Sequence, residues 1–285
     1  MKDLTMSNDP DGTQRAMVVF TDLDGTLLDK KTYSFEAARE ALTELRARNI
    51  PLIVVSSKTR AEIEPIRLEL RNEHPFIVEN GGAVVIPTNY FLFPLTDAVR
   101  RGSYHVVELG TPYSLLRTAL KEIQQLLGRE LRGYGDMSIE EIAARTGLSL
   151  ENAQLSKQRD YDEPFIIEGS PCPEERLIEA INERGLRYTQ GDRFFHLMGR
   201  HDKGQAVQYL IRCYRRQLGD DHGVLCSVAI GNSLNDLPML EAVDRPVLVQ
   251  QTDGSYTLDL ELPQLIRAPG PGPAGWNQAV LSLLP

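Results

Sequence analysis

The chain has 285 residues and a formal net charge of −9, with 41% hydrophobic and 25% charged residues, the balance of a globular protein with one large domain or two smaller ones. That charge leaves no excess of cations to neutralise a phosphate backbone or an anionic membrane face, so coating nucleic acid or membrane is excluded as the main role, while a local basic pocket is not. The three cysteines, Cys172, Cys213 and Cys226, are far apart and form no CxxC pair, which speaks against a disulfide framework or a zinc site and fits a reducing cytoplasm. Residues 1–15 are polar, without an apolar signal segment, and no run of about 18 apolar residues follows. The expectation is a disordered leader and a cytoplasmic protein that is neither exported nor membrane-spanning.

Strand-like and helix-like segments then alternate. Ala16 to Thr21 is a short apolar run ending in a polar turn, as in a strand buried on both faces. Ser34 caps a helix whose apolar residues Ala38, Ala41, Leu42 and Leu45 recur at three and four. Ile50 to Ser56 is a second buried strand, Thr59 to Arg71 a second helix, and Pro75 to Asn80 a third strand that Gly81-Gly82 turns into a hairpin through AVVIP. This βαβα order predicts a parallel sheet with right-handed crossovers. Beyond Phe93 the texture changes: strand-like His105 to Gly110, helix Pro112 to Leu127, a polar helical stretch Ser138 to Gln158, strand Pro164 to Gly169, helix Glu174 to Arg184 and strand Arg193 to Gly199. The opening pattern resumes with a helix from Lys203 to Gln217, buried strand Val224 to Gly231 and strand Pro246 to Gln250. Ala268 to Gly275 (APGPGPAG) reads as a hinge before a terminal helix. The fold class is therefore α/β: a parallel-sheet, Rossmann-like core over 16–93 and 195–285, with an α+β insertion over 94–194.

Asp22-Leu23-Asp24-Gly25-Thr26 follows the first buried strand directly. Side chains at i and i+2 point the same way, so two carboxylates meet at the carboxyl end of the sheet, where open α/β folds bind ligands. Adjacent carboxylates repel and favour a shared proton or a divalent cation, and oxygen ligands point to Mg²⁺. A calcium loop would need an acid where Phe20 stands, and a plain acidic turn gives the same pentapeptide. Ser56-Ser57-Lys58-Thr59 joins the second strand to a helix, offering a hydroxyl and backbone N–H groups for phosphate, or simply an N-cap. Lys203 begins another helix, and Gly231-Asn232-Ser233-Leu234-Asn235-Asp236 closes a later strand with amide and carboxylate oxygens.

An acid pair, a hydroxyl, a lysine and a Gly-Asn-x-x-Asn-Asp turn, in that order, resemble the four motifs of the haloacid dehalogenase superfamily of phosphotransferases, and the insertion looks like the cap of its sugar-phosphatase branch. VVSSKTRAEI, ENGGAVVIP, SIEEIAARTGLS, RDYDEPFII, RFFHLMGRHDKG, GNSLNDLPML and APGPGPAGWN resemble the mannosyl-3-phosphoglycerate phosphatase family, which makes the compatible solute mannosylglycerate. The resemblance implies Asp22 as nucleophile and Asp24 as acid and base. It implies Ser56, Ser57 and Lys203 on the phosphate, and Mg²⁺ on Asp22, Asp24, Asn232 and Asp236. The family usually has Asp where this chain has Asn232, which implies weaker metal binding unless Asp236 takes over. For a small phosphorylated sugar-glycerate substrate, the expected contacts are Lys58, Glu79, Asn80, Arg159, Arg193, His196 and Asn235. Two plainer readings stay open: His196 as an ordinary strand residue, and Arg159 as the ion-pair partner of Asp160 or Asp162. A phosphomutase, or a catalytically silent sugar-phosphate sensor, is the alternative function.

Overall fold

The structure is a computed structural model that describes residues 6–8, 14–169, 174–190, 194–219, 224–257 and 261–284. Two sheets organise it. The larger is built from β1 (Met6–Asn8), β2 (Gln14–Thr21), β3 (Leu52–Val55), β4 (Phe76–Val78), β5 (Ala83–Pro87), β6 (Val99–Arg101) and β7 (Tyr104–Glu108). The smaller is built from β8 (Glu130–Gly133), β9 (Asp162–Glu168), β10 (Arg187–Gln190) and β11 (Phe195–Met198), after which β12 (Val224–Gly231), β13 (Arg245–Gln250) and β14 (Ile266–Pro271) return to the larger sheet. Across the large sheet the order is β14, β13, β12, β2, β3, β4, β5, β7, β6, with β1 paired to the start of β2. From β14 to β4 all pairs are parallel, and β5, β7 and β6 extend the sheet antiparallel.

The helices cover both faces of the parallel part. On one side α1 (Arg39–Ala47), α2 (Arg60–Glu69) and α9 (Gly272–Leu283) pack Leu42, Leu45, Ile63, Trp276 and Val280 against Val19, Val54 and Val228. On the other, α7 (Lys203–Leu218) and α8 (Leu237–Glu241) pack Val207, Leu210, Met239 and Leu240 against Val18, Phe20 and Ala229. Burial on both faces explains why β2 and β12 read as unbroken apolar runs. In the insertion, α3 (Tyr113–Leu127) and α6 (Glu174–Asn182) cover one face of the small sheet through Leu116, Leu120, Leu177 and Ile181. The polar helical stretch resolves into α4 (Ile139–Thr146) and α5 (Leu150–Ser156), each capped by a serine, Ser138 or Ser149.

Strand pairing revises four expectations. Residues 99–108, assigned to the insertion, complete the edge of the large sheet, because β7 pairs with β5. Residues 195–198, assigned to the core, pair with β9 and β10 in the small sheet. The leader, expected to be disordered, contributes β1, whose residues pair with Gln14 to Ala16. The supposed hinge at Ala268 is likewise part of β14, which pairs in parallel with β13 before α9 starts at Gly272.

Trp276 has no exposed surface, and its Nε1 donates to Thr21 Oγ1 at 3.0 Å, one residue before Asp22. Trp276→Ala is expected to cost about 3–5 kcal/mol of core stability in urea unfolding. A loss under about 1 kcal/mol would contradict this packing.

Candidate active site

β2 ends where Asp22 begins, and the Asp22 N–H stays in the ladder through Ile230 O. Gly25 then takes a positive φ of 77°, and the chain folds back as Thr26 N and Leu28 N donate to Leu23 O. Facing this turn, Lys203 Nζ sits 2.7 Å from Asp22 Oδ1 and 2.6 Å from Asp236 Oδ1, and the lysine is only 1% exposed. Burial pushes the Asp22 carboxyl up to about 7, against the pull of Lys203. Burial also works against the Lys203 ammonium, yet the two carboxylates lift its pKa above the ordinary lysine value. Asp236, expected among the metal ligands, has its other oxygen filled by Asn232 N, Ser233 N and Ser233 Oγ at 2.9–3.0 Å. Both oxygens are thus committed to Lys203 and the turn. The Asn232 side chain instead lies over the acid-pair turn, where a Cβ on Gly25 would come within 2.6 Å of its Nδ2.

The second motif closes on the same spot. Ser56 is buried at the end of β3, and its Oγ accepts from Lys58 N. Lys58 Nζ lies 2.8 Å from Asp24 Oδ2 and 5.4 Å from the centre of the Tyr33 ring. Asp24 Oδ1 is buried without a hydrogen-bond partner. After β4, Glu79, Asn80 and Gly81 all adopt positive φ, and Gly81 is required because a Cβ there would lie 2.1 Å from Asp202 O. This tight passage brings Asn80 beside the start of α7, where its Oδ1 accepts from Asn235 Nδ2 at 3.0 Å.

The cap supplies a roof. In the register of β10, β11 and β9, Arg187 pairs with Met198 and Met198 with Asp162, while Thr189 pairs with His196. Alternation puts these on one face, opposite Tyr188 and Leu197, which join the core under α3 and α6. The polar face closes a cleft of about 810 Å³ lined by Ser57, Asn80, Arg187, His196, Lys203 and Asn235. His196 Nδ1 is 2.8 Å from Asp162 Oδ2, which turns its Nε2 edge away from that carboxylate. A buried carboxylate, a buried ammonium and a capped polar cleft at the carboxyl ends of parallel strands suit phosphoryl transfer.

A family model described as haloacid dehalogenase-like hydrolase matches residues 19–94. The chain is 46% identical to the glucosyl-3-phosphoglycerate/mannosyl-3-phosphoglycerate phosphatase of Methanococcoides burtonii, over 94% of this chain and 97% of that protein. It is 39% identical to the mannosyl-3-phosphoglycerate phosphatase of Pyrococcus furiosus, over 81% and 90% respectively. The chain belongs to the mannosyl-3-phosphoglycerate phosphatase family. A solved structure from Thermoplasma acidophilum superposes with a TM-score of 0.62 at 17% identity, over 93% of this chain and 97% of that one. The sucrose-phosphatase of Synechocystis, solved with sucrose and phosphate, does so at 0.57 and 14%, over 94% and 98%. These two likenesses show the shared fold.

Within this phosphatase, two residues expected on the substrate are used otherwise. The Arg159 side chain is 7% exposed, and its guanidinium donates to Ser57 O at 2.9 Å, Ser156 O at 2.9 Å and Asp162 Oδ2 at 3.1 Å. The Glu79 carboxylate is buried and accepts the N–H groups of Asp160 and Tyr161 at 2.9 and 2.8 Å. Arg159 ties the cap to the turn that carries Ser57, Glu79 ties it to the turn after β4, and neither lines the cleft. Arg193 lies outside the described residues. Arg187 was not among the expected contacts, although Leu186-Arg187-Tyr188-Thr189 alternates apolar and polar as a half-buried strand does, and Asp162 was expected only as a partner of Arg159, the pair the structure shows.

Burial pushes Glu79 up to about 8 from an ordinary 4.5, against the nearby Arg159 and the two N–H bonds. Between those values the folded state binds more protons than the unfolded one, so ionisation of Glu79 costs stability as pH rises through about 8. Urea unfolding from pH 5 to pH 8 should show a decline that Glu79→Gln flattens. Parallel curves for the two proteins would contradict this.

Proposed function

We propose that this chain hydrolyses the phosphate ester of glucosyl- or mannosyl-3-phosphoglycerate, releasing phosphate and the glycosylglycerate, with Mg²⁺ as cofactor and an aspartyl-phosphate intermediate. The observation that carries this reading is Asp22 held against buried Lys203 beneath a capped polar cleft, in a chain 46% identical to a phosphatase named for those substrates.

Asp22 attacks phosphorus in line with the departing glycerate oxygen, so one difficult displacement becomes two easier ones. Lys203 orients the Asp22 carboxylate and offsets charge on the phosphoryl group, and Asp236 fixes Lys203 from the far side. Ser56 and the Ser57 N–H hold the phosphoryl oxygens at the end of β3. Lys58, now on Asp24, turns to the phosphoryl oxygens, and Asp24, released from that pair, takes up a proton on substrate binding and gives it to the leaving oxygen. Asp24 then takes the proton of the water that attacks the aspartyl-phosphate. The cap limits access of bulk water during these steps.

The donor set fits a small hard cation. Asp22 and Asn232 offer side-chain oxygens around one turn, Asp24 its backbone carbonyl, and the Asp24 carboxylate keeps one buried oxygen without a partner. Bound there, Mg²⁺ neutralises phosphoryl charge and orients the ester. A silent sensor is disfavoured because Asp22, Asp24, Ser56 and Lys203 converge.

Asp22→Asn is expected to lower phosphate release by about a thousandfold or more in a steady-state assay, and activity near the native level would sink the nucleophile assignment. Asn232 contributes no formal charge, and a unit charge at about 4 Å in an effective dielectric of about 20 is worth roughly 4 kcal/mol before solvent compensation. Asn232→Asp should therefore reduce the Mg²⁺ concentration for half-maximal activity by about tenfold or more. An unchanged or higher requirement would remove Asn232 from the metal site.

A further inference from the structure

We propose that Arg187, on the roof of the cleft, is the residue that reads the glycerate carboxylate of the substrate, and so selects glycosyl-phosphoglycerates over phosphate esters without an acid group. This rests on the substrate reading above and adds the residue that enforces it. Lys203 is committed to Asp22 and Asp236 beneath the phosphoryl position. Lys58 starts on Asp24 at the acid-pair turn and serves the phosphoryl end of the substrate, and Arg159 is held by Ser57, Ser156 and Asp162 outside the cleft. Among the described residues that line the cleft, Arg187 is the guanidinium left over, and its Nε is buried with no hydrogen-bond partner.

A guanidinium offers planar paired donors that match a carboxylate, and a buried donor without an acceptor is costly until one arrives. Burial also lowers the Arg187 pKa, and Asp202 supplies the opposing pull from the N-cap of α7. The site therefore gains from an added anion. Position agrees with this role. Arg187 stands on the same sheet face as Thr189 and His196 and lines the same cleft as Lys203 and Ser57. A substrate whose phosphate sits at Asp22 and Lys203 carries its carboxylate on the adjacent glycerate carbon, while Asn80, Asn235 and His196 remain for sugar hydroxyls. Among the described arginines, Arg187 rather than Arg159 is thus the one placed to meet the carboxylate.

The test compares glucosyl-3-phosphoglycerate with its carboxamide, which keeps sugar, glycerate chain and phosphate but removes the acid. The wild-type protein with Mg²⁺ should prefer the acid by about tenfold to a hundredfold in kcat/KM, expressed mainly in KM, the range expected of a charge-assisted hydrogen bond. Arg187→Met should erase that preference, and Arg187→Lys should restore part of it. Because the readout is a ratio between two substrates on one protein, a general loss of folding or turnover cancels. A preference that persists in Arg187→Met, or is absent from the wild type, overturns the assignment. Wild-type protein that releases phosphate from neither glucosyl- nor mannosyl-3-phosphoglycerate overturns the substrate reading itself, and the assignment with it.

Discussion

The buried ammonium of Lys203, shared between Asp22 and Asp236, is the interaction around which the site is arranged. Three charges with almost no solvent cannot coexist unless each is matched, and removing one partner of such a set typically costs about 3–5 kcal/mol. The match has structural consequences. Asp236 can hold Lys203 only if its second oxygen is satisfied, which the Asn232 and Ser233 N–H groups achieve by wrapping the turn after β12. Asp22 can meet Lys203 only if α7 begins close to the end of β2, and Gly81 permits that approach by leaving room for Asp202 O. The same lysine that stabilises the fold holds the Asp22 carboxylate, so in the proposed mechanism structure and chemistry share one ion cluster.

Around it, the joint between core and cap is built from groups that resemble ligand contacts but are spent on each other. Glu79 grips the backbone of Asp160 and Tyr161, Arg159 spans Ser57 and Asp162, and Thr59 Oγ1 donates to Leu155 O. Tyr161 packs so closely on Gly82 and Gly110 that a Cβ on either would come within 3 Å of it. Cap position is therefore coupled mechanically to the turn that carries Ser57.

The fold was legible because its core strands are buried on both faces and its helices carry apolar residues at three and four, signals that need no tertiary information. Asp22, Ser56, Lys203 and Asn232 were legible because each stands where a buried strand ends or a helix begins. The cap contacts were harder. Charge type alone named Arg159 and Glu79, but whether a buried charge faces a cleft or a neighbouring chain depends on pairing over long sequence separations, here from Glu79 to Tyr161. The readable clue to Arg187 was alternation in a short strand. β14 was missed for a related reason: Pro and Gly dominate its sequence, yet it lies at the sheet edge, where a missing N–H is tolerated.

In the proposed mechanism Asp22, poised by Lys203, bonds covalently to the phosphoryl group. Acid-quenching the enzyme with Mg²⁺ and glucosyl-3-phosphoglycerate in the first turnover, then reducing with borohydride, converts an aspartyl-phosphate to homoserine, which peptide mass spectrometry locates. The account requires homoserine at position 22 and nowhere else. Full-rate phosphate release with no homoserine at that position, or with homoserine at another, would contradict it.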